Sequence, residues 1–434
     1  MKMGATDSQK KATAAPVDHV KKMLAFIKNS PTCYHAVENV GQELETAGYG
    51  QLQENERWEL AMGGKYYVTR NGSSLIAFQL PARKPKGFHM VASHSDSPCF
   101  KVKENPEMKV EDAYVKLNVE KYGGSILSTW LDRPLSVAGR VVLAGGAGIR
   151  NVAVDRDLVL IPNVAIHMNR DMNKGVEYNV QTDMLPLYAG ADGKPFLTLM
   201  AEEIGVSPKD ILGSDFFLYN REKGRRFGAQ GEFVGTPRLD DLACVYASMY
   251  ALLHGKPEEY ANLLAVFDNE EVGSTTRQGA ASNFLQDTLR RIGESLGMEE
   301  SGFGRLLADS FMISADNAHA VHPNHPEKAD PTNRPYLNGG IVIKYHGGQK
   351  YTTDAVSAAV MKEICKKADV PWQCYANRSD IAGGSTLGNI SAAQVPVSTV
   401  DIGIGQLAMH SAYETAGAED VGYMVRVMEC FYKG

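Results

Sequence analysis

The chain has 434 residues, of which 44% are hydrophobic and 22% are charged, and its formal net charge is −6. These values are typical of a globular protein with two or three domains. The absence of a Lys/Arg block argues against a nucleic-acid partner, and no apolar run approaches the length that crosses a membrane, so we expect no membrane partner.

The beginning of the chain is polar. Residues 1–16 are rich in Lys, Ala and Thr and lack the apolar core of a secretion signal. We therefore predict a short disordered lead and a cytoplasmic location. The six cysteines are scattered without a Cys-x-x-Cys pair, which argues against a disulfide framework and against a cysteine-ligated zinc ion. Any metal site must then use histidines and carboxylates.

The first half of the chain changes character near residue 99. Residues 17–47 show helical spacing of apolar side chains with an interruption at Ser30-Pro31, and apolar segments around Asn71-Gly72 predict a β-hairpin. Residues 99–236 instead contain short β-like segments separated by Gly, Asn and Asp. This pattern predicts an inserted β-rich domain.

Alternation of strands and helices returns after Pro237. A helix is predicted at 240–254 and another at 354–367, and strands are predicted at 263–267, 311–314, 341–344, 372–376 and 397–402. The fold class is therefore α/β, with a mixed, mostly parallel sheet that is covered by helices on both faces. Residues 17–98 and 237–434 would form this α/β domain, and residues 99–236 would interrupt it.

Side chains of the types that can bind metals, histidines and carboxylates, cluster at predicted strand ends and helix starts. They are His94 and Asp96, Asp240, Glu270 and Glu271, Asp316, and His410. Ligands of open α/β sheets bind at the carboxyl ends of strands, so we expect these side chains to meet. Taken singly, Asp240 also fits a helix N-cap, Asp316 a turn and His410 a core histidine.

The composition of this set suits two zinc-like ions. Zinc accepts histidine nitrogen and carboxylate oxygen, and one carboxylate can bridge two ions about 3.5–4 Å apart. The adjacent Glu270 and Glu271 would repel each other unless a cation compensates them. One glutamate of the pair would bind metal and the other would act as a general base, while Asp96 would orient a ligand.

The motifs themselves resemble a known family. They are His94-Ser95-Asp96-Ser97-Pro98, Arg238-Leu239-Asp240, residues 268–274 (DNEEVGS), residues 314–324 (SADNAHAVHPN), Ser379-Asp380 with residues 383–386 (GGST), and Ala408-Met409-His410-Ser411. In this order they resemble the aspartyl aminopeptidases, which are dinuclear-zinc aminopeptidases with an inserted dimerisation domain. The resemblance extends from about residue 17 to the end of the chain.

The resemblance implies roles for the clustered residues. The metal ligands would be His94 and Asp316 at one ion, Glu271 and His410 at the other, and Asp240 between them. Glu270 would be the general base, and Asp96 would orient a ligand. Two divalent ions would bind each subunit, with Zn²⁺ expected and Co²⁺ or Mn²⁺ as alternatives.

The resemblance also implies a substrate and an assembly. Peptides with N-terminal Asp or Glu would be cleaved, with contacts from His319, Lys344 and Tyr351 and from His167 of a neighbouring subunit. Dimers would assemble into a tetrahedral dodecamer. From the residues alone, Lys344 at the end of an apolar run equally fits a lysine that reaches out to solvent.

Two positions depart from the family pattern. Asn317 stands where the family often has Met, and Asp241 stands where Asn commonly follows the bridging Asp. His322 and His325 are interpreted as structural. The alternatives are a broader or Leu-type aminopeptidase, a related dinuclear deacylase, and a non-catalytic peptide-binding scaffold.

Overall fold

The computed structural model describes residues 17–433, so the predicted disordered lead at residues 1–16 lies outside the described residues. The helices are α1 (His19–Asn29), α2 (Cys33–Thr46), α3 (Val180–Asp183), α4 (Phe196–Glu203), α5 (Leu239–His254), α6 (Phe284–Ser295), α7 (Glu300–Ala308), α8 (Ala355–Lys367), α9 (Leu387–Ser391) and α10 (Ala418–Lys433). The break between α1 and α2 confirms the interruption predicted at Ser30-Pro31. No helix within residues 17–433 is both long and apolar enough to cross a membrane.

The strands are β1 (Gly50–Leu52), β2 (Lys65–Arg70), β3 (Ser74–Gln79), β4 (Phe88–His94), β5 (Cys99–Val110), β6 (Tyr114–Tyr122), β7 (Leu135–Leu143), β8 (Ile149–Ala153), β9 (Leu187–Gly190), β10 (Ile211–Asn220), β11 (Arg225–Phe227), β12 (Phe233–Thr236), β13 (Ala261–Phe267), β14 (Phe311–Ala315), β15 (Ala318–His319), β16 (Ile341–Tyr345), β17 (Trp372–Ala376), β18 (Ser398–Gly403), β19 (Gly405–Leu407) and β20 (Glu414–Gly417). The antiparallel pairing of β2 with β3 confirms the predicted hairpin. The five strands predicted after Pro237 are also confirmed.

The largest sheet has nine strands in the order β1-β2-β3-β13-β4-β14-β18-β16-β17. Three neighbouring pairs, β2–β3, β3–β13 and β16–β18, are antiparallel, and the other five are parallel. This confirms the mixed, mostly parallel sheet. In β13, Leu264 and Val266 face one core whereas Leu263 and Phe267 face the other. Burial on both faces explains why this strand is apolar throughout.

Helices cover both faces of this sheet, as predicted. One core includes residues of α1, α2, α5, α8 and α10, and the other includes residues of α6, α7 and α9. Helix α5 is buried over most of its length because it packs between the sheet and α10. Its first turn carries Asp240 and Asp241, both of which are buried.

Two further sheets complete the fold. The six-stranded sheet β8-β7-β10-β5-β6-β9 is antiparallel and has its own apolar core, which includes Phe100, Leu117 and Trp130. All of its strands lie within residues 99–236, and the exact bounds of an inserted domain stay a prediction. The third sheet, β11-β12-β20-β19-β15, pairs β12 with β20.

Candidate active site

Three neighbouring strand ends bring most of the predicted metal-binding residues together. His94 is the last residue of β4, and Asp316 directly follows β14. Glu270 and Glu271 lie in a short 3₁₀ turn just after β13. Because β4 runs parallel to both β13 and β14, these residues meet at one edge of the nine-stranded sheet.

Asp240 and His410 reach the same edge from other elements. Asp240 comes from the first turn of α5, and His410 comes from the loop between β19 and β20. Asp240 Oδ1 lies 3.6 Å from His94 Nε2, and Asp240 Oδ2 lies 3.5 Å from His410 Nε2. His410 Nε2 lies 3.4 Å from Glu271 Oε2. Asp240 therefore sits between two imidazoles with one oxygen toward each.

The spacing of these atoms fits zinc. The distances of 3.4–3.6 Å are longer than ordinary hydrogen bonds. They match the separation of about 3.4 Å between ligand atoms around a tetrahedral ion with bonds of about 2.0–2.1 Å. Asp240 Oδ1 and Glu271 Oε1 are also buried, and neither has a hydrogen-bond partner within residues 17–433. Buried oxygens of this kind are costly unless a cation binds them.

Three groups of side chains could each hold an ion. In each group, one ligand atom per residue lies within 4.8 Å of the others. Among the described residues the groups are His94 with Asp240, Asp241 and Asp316, His94 with Glu270 and Glu271, and Asp240 with Glu271 and His410. All five predicted metal ligands belong to this connected set, in which His94, Asp240 and Glu271 are each shared by two groups.

The electrostatics of the site show a surplus of negative charge. Burial, together with nearby carboxylates, raises the pKa of Glu270 to about 8. Burial followed by the charge of Asp240 raises the pKa of Glu271 well above its ordinary value. Burial acts in the same direction on Asp240, but its contacts with the two imidazoles hold its pKa below the ordinary value. Such carboxylates are stabilised when a cation binds among them.

Asp96, which was predicted to orient a metal ligand, contacts three of the clustered residues. Its Oδ1 and Oδ2 accept hydrogen bonds from the backbone N–H groups of Glu270 (3.1 Å) and Glu271 (3.2 Å). Asp96 Oδ1 also lies 3.3 Å from His94 Nδ1, and Tyr122 Oη donates to Asp96 Oδ2 at 2.6 Å. One carboxylate thus fixes the ring of His94 and the backbone of both glutamates.

Two further carboxylates hold the site together, and sequence reasoning missed this role for both. Glu414 is buried and accepts hydrogen bonds from the backbone N–H groups of Asp240 (3.1 Å) and His410 (2.7 Å). Asp241 accepts from the backbone N–H of His94 at 3.1 Å. Both act on backbone groups, which leave no pattern in a sequence. The one available signal was an acidic residue four positions after His410.

Lys344 is buried behind Asp316 and is 2% exposed, which rules out a lysine that reaches solvent. Its ammonium donates to the backbone oxygens of Asp316 (2.8 Å) and Asn317 (3.3 Å) and lies 3.4 Å from Asp316 Oδ2. It also lies 5.3 Å from the ring centroid of Tyr351. Lys344 therefore supports a predicted metal ligand and places a positive charge beside the site.

The other predicted substrate residues lie in two places. His319 lines a cavity of about 430 Å³ whose lining also includes Ala408, two residues before His410, and its ring centroid lies 6.1 Å from that of Tyr375. Tyr351 packs against the same tyrosine at 6.3 Å. His167 instead lies in an exposed loop of the region 99–236, where its side chain makes no hydrogen bond to any described residue.

Asn317 lies beneath the site, whereas His322 and His325 lie on the surface. Asn317 is buried, and its amide nitrogen donates to Leu239 O (3.0 Å) and to Gln406 Oε1 (2.7 Å). Asn317 thus stabilises packing beneath the site. His322 and His325 are exposed and belong to none of the three ligand groups found within residues 17–433.

Comparison with known families gives a match along nearly the whole chain. Residues 26–432 match the family described as aminopeptidase I zinc metalloprotease (M18). A probable M18 family aminopeptidase 2 of Clostridium acetobutylicum is 46% identical over 427 residues, which is 96% of this chain and 99% of that protein. A protein of the same description from Pseudomonas aeruginosa is 40% identical over 94% of this chain and 97% of its own length.

Solved structures agree with these sequence matches. Ape4 in its complex with Nbr1 superposes with a TM-score of 0.92 at 36% identity, over 96% of this chain and 85% of Ape4. The mApe1 dodecamer of S. cerevisiae superposes with a TM-score of 0.84 at 27% identity, over 96% of each chain.

Proposed function

The chain belongs to the aminopeptidase I zinc metalloprotease (M18) family, and we propose that it removes Asp and Glu from the N-termini of peptides at a site for two metal ions. The observation that carries the two-ion site is the position of Asp240 between His94 and His410. A carboxylate with one oxygen toward each of two imidazoles fits a ligand shared by two ions. Zinc suits this donor set, and cobalt or manganese are the alternatives.

The ligands divide between two positions. His94 and Asp316 would hold one ion, Glu271 and His410 would hold the other, and Asp240 would belong to both. This division is supported by the contacts of each histidine with a different oxygen of Asp240. Zinc bound here supplies Lewis acidity toward the scissile carbonyl and toward a water molecule.

Glu270 is the residue of this chain that moves protons. Its carboxylate accepts no hydrogen bond from any residue in 17–433, whereas its backbone N–H is held by Asp96 at 3.1 Å. A carboxylate held in place by its backbone can take a proton from the attacking water and donate it to the leaving amine nitrogen. Asp96 maintains the geometry through Glu270, Glu271 and His94.

The acidic preference rests on the charge of Lys344. We place the N-terminal side chain of the substrate near His319 and Tyr351, where an acidic group would be attracted by the buried ammonium. Asp316 shares that charge at 3.4 Å, which reduces the attraction. Because the attraction is reduced, a preference for N-terminal Leu is the alternative, and the peptide assay must distinguish it from a preference for Asp and Glu.

The assembly proposed for the chain is a homo-oligomer in which dimers form a tetrahedral dodecamer. The S. cerevisiae mApe1 structure is a dodecamer, and this chain superposes on it over 96% of its length. His167 lies in an exposed loop with Val164, Ile166 and Met168, three apolar side chains that are also exposed. In the assembly this loop would bring His167 to the site of a neighbouring subunit.

A cytoplasmic location is also proposed. All six cysteines are free thiols, and Cys33, Cys244 and Cys365 are buried. Free thiols are usual in a reducing compartment, whereas disulfides accumulate in secreted proteins.

The function is tested with chromogenic substrates that carry N-terminal Asp, Glu or Leu. We expect faster cleavage of the Asp and Glu substrates, loss of activity after a chelator has removed the metal, and recovery when Zn²⁺ is added. An N-acetylated peptide of the same sequence should resist cleavage, and its cleavage would instead indicate a deacylase. Full activity of metal-free protein would contradict the proposal.

Glu270→Gln separates the catalytic role from metal binding. We expect kcat to fall by about 10²–10⁴-fold, because the general base is lost, while the zinc content stays that of the wild type. Val272→Ala, which changes an exposed side chain of the same turn, is the control and should keep the wild-type kcat and zinc content. Unchanged turnover of Glu270→Gln would contradict the general-base role, whereas wild-type protein that binds peptides without cleaving them would support the peptide-binding scaffold.

A further inference from the structure

A buried carboxylate outside the proposed metal ligands connects two loops to the sheet. Asp401 lies in β18 and is fully buried. Its Oδ2 accepts hydrogen bonds from the backbone N–H of Thr352 (2.5 Å) and from Thr352 Oγ1 (2.6 Å). Its Oδ1 accepts from Thr386 Oγ1 at 2.6 Å. One side chain therefore contacts the loop between β16 and α8 and the residue that precedes α9.

The same two loops are bound to each other. Lys350 Nζ donates to Gly383 O at 2.8 Å, and the backbone N–H of Thr386 donates to Lys350 O at 3.4 Å. Thr353 Oγ1 accepts from the backbone N–H of Asp401 at 2.9 Å. Residues 350–353 and 383–386 thus form one unit that is attached to β18 through Asp401.

This unit borders the cleft that the proposed function assigns to the substrate. Gly383 and Gly384 line the cavity of about 430 Å³ that also contains His319. Tyr351 lies in the other loop, and its ring packs near Lys344 and Tyr375. A displacement of either loop would change the shape of this cleft.

The charge of Asp401 also reaches the metal-binding edge. The antiparallel register that pairs Ile343 with Ile402 brings Lys344 close to Asp401. Burial acts to lower the pKa of Lys344, but the charges of Asp316 and Asp401 raise it. Lys344 is therefore held between a carboxylate of the candidate site and the carboxylate that fixes the loops.

We propose that Asp401 is a positioning residue for substrate binding, which holds loops 350–353 and 383–386 in the shape that receives the N-terminal residue of a peptide. This inference rests on the proposed function, because that function assigns the cleft to the substrate. Asp401 acts through Thr352 and Thr386, so its loss should affect binding more than proton transfer.

Asp401→Asn tests this role. The amide has one oxygen fewer to accept hydrogen bonds, so it cannot accept all three from Thr352 and Thr386. We expect KM to rise about tenfold or more, while kcat changes by less than about threefold and the zinc content is unchanged.

Asp420→Asn is the matched control. Asp420 is also buried and accepts hydrogen bonds from two backbone N–H groups, those of Asn338 (2.7 Å) and Gly340 (2.9 Å). Its substitution should lower thermal stability and leave KM unchanged. A purely structural role of Asp401 would make the two variants behave alike.

Two milder variants cover the case in which Asp401→Asn does not fold. Thr352→Val and Thr386→Val each remove one hydroxyl donor and keep the carboxylate, and each should raise KM by about twofold to tenfold. Unchanged KM in these folded variants, or a fall in kcat with loss of zinc, would overturn the inference. KM is measured on whichever substrate the wild type cleaves. If the wild type shows no preference for acidic substrates, that result contradicts the proposed acidic preference and leaves the role of Asp401 to be tested on the substrate that is cleaved.

Discussion

The edge of the nine-stranded sheet and the six-stranded sheet, where Asp215 is half-buried, compensate the charge of their carboxylates in opposite ways. In the six-stranded sheet, Asp215 accepts hydrogen bonds from Lys101 Nζ (2.9 Å) and Arg140 Nε (3.0 Å), so cations of the chain compensate it. At the edge of the nine-stranded sheet, Asp240 and Glu271 each carry a buried oxygen without a hydrogen-bond partner in the described part of the chain. The second pattern indicates a charge that a ligand must compensate.

The pKa directions express the same difference. Burial acts to raise the pKa of Asp215, but Lys101 and Arg140 bring it below its ordinary value. Burial raises the pKa of Glu271 as well, and there the charge of Asp240 adds to the effect. Burial acts to raise the pKa of both carboxylates, and the net shift has opposite signs because, within residues 17–433, the chain supplies Lys and Arg cations to Asp215 and not to Glu271.

Glu271→Ala should have the largest effect on zinc content and activity. The variant removes a proposed ligand, so we expect the zinc content to fall from about two ions to about one per subunit. We expect kcat/KM to fall on the order of a thousandfold, because the remaining ion would stabilise the transition state less well. Metal analysis and the peptide assay measure both effects.

Glu222→Ala is the control for Glu271→Ala. Glu222 forms an ion pair with Arg133 and belongs to none of the three ligand groups found within residues 17–433. This variant should retain both zinc ions and wild-type turnover. Retention of two ions by Glu271→Ala itself would show that Glu271 is not a ligand.

Glu414→Ala should have an intermediate effect. Loss of its carboxylate leaves the backbone N–H groups of Asp240 and His410 without their acceptor. Residues that orient ligands typically contribute about 10–100-fold to metal affinity, so we expect zinc to be lost to a competing chelator at lower chelator concentration. Asp420→Ala, which removes a comparable backbone acceptor elsewhere, should leave the zinc affinity unchanged.

The sequence predicted this edge of the sheet well for a physical reason. His94, Glu270 and Asp316 each follow an apolar run, and the ends of parallel strands meet at one edge. The apolar runs themselves are visible because these strands are buried on both faces. The fold class and the metal-type residues could therefore be predicted from local patterns.

The contacts that support the site could not be predicted in this way. Glu414 acts on backbone N–H groups that are 174 and 4 positions away in the chain, and its position four residues after His410 does not reveal the contact with Asp240. The orientation of Lys344 depends on the antiparallel pairing of β16 with β18, which an apolar run does not specify. Long-range pairing likewise joins β12 to β20.

Asp215→Asn should have the smallest effect, and it tests the opposite side of the comparison. The folded-state pKa of Asp215 is lowered, so its ionised form stabilises the fold above the unfolded-state pKa of about 3.9, and this contribution is lost as the pH falls through the folded-state pKa. The substitution should therefore lower the free energy of unfolding by about 1 kcal/mol at pH 7.

Urea denaturation of Asp215→Asn and wild type at pH 7, 5 and 3 measures the difference. It should persist at pH 5 and shrink at pH 3, which lies below the unfolded-state pKa of about 3.9, because Asp215 then takes up a proton in the unfolded chain. Zinc content and kcat per folded subunit should match the wild type at pH 7, because Lys101 and Arg140 compensate this charge within the chain. Loss of zinc from this variant would show that the two regions do not manage their charges independently.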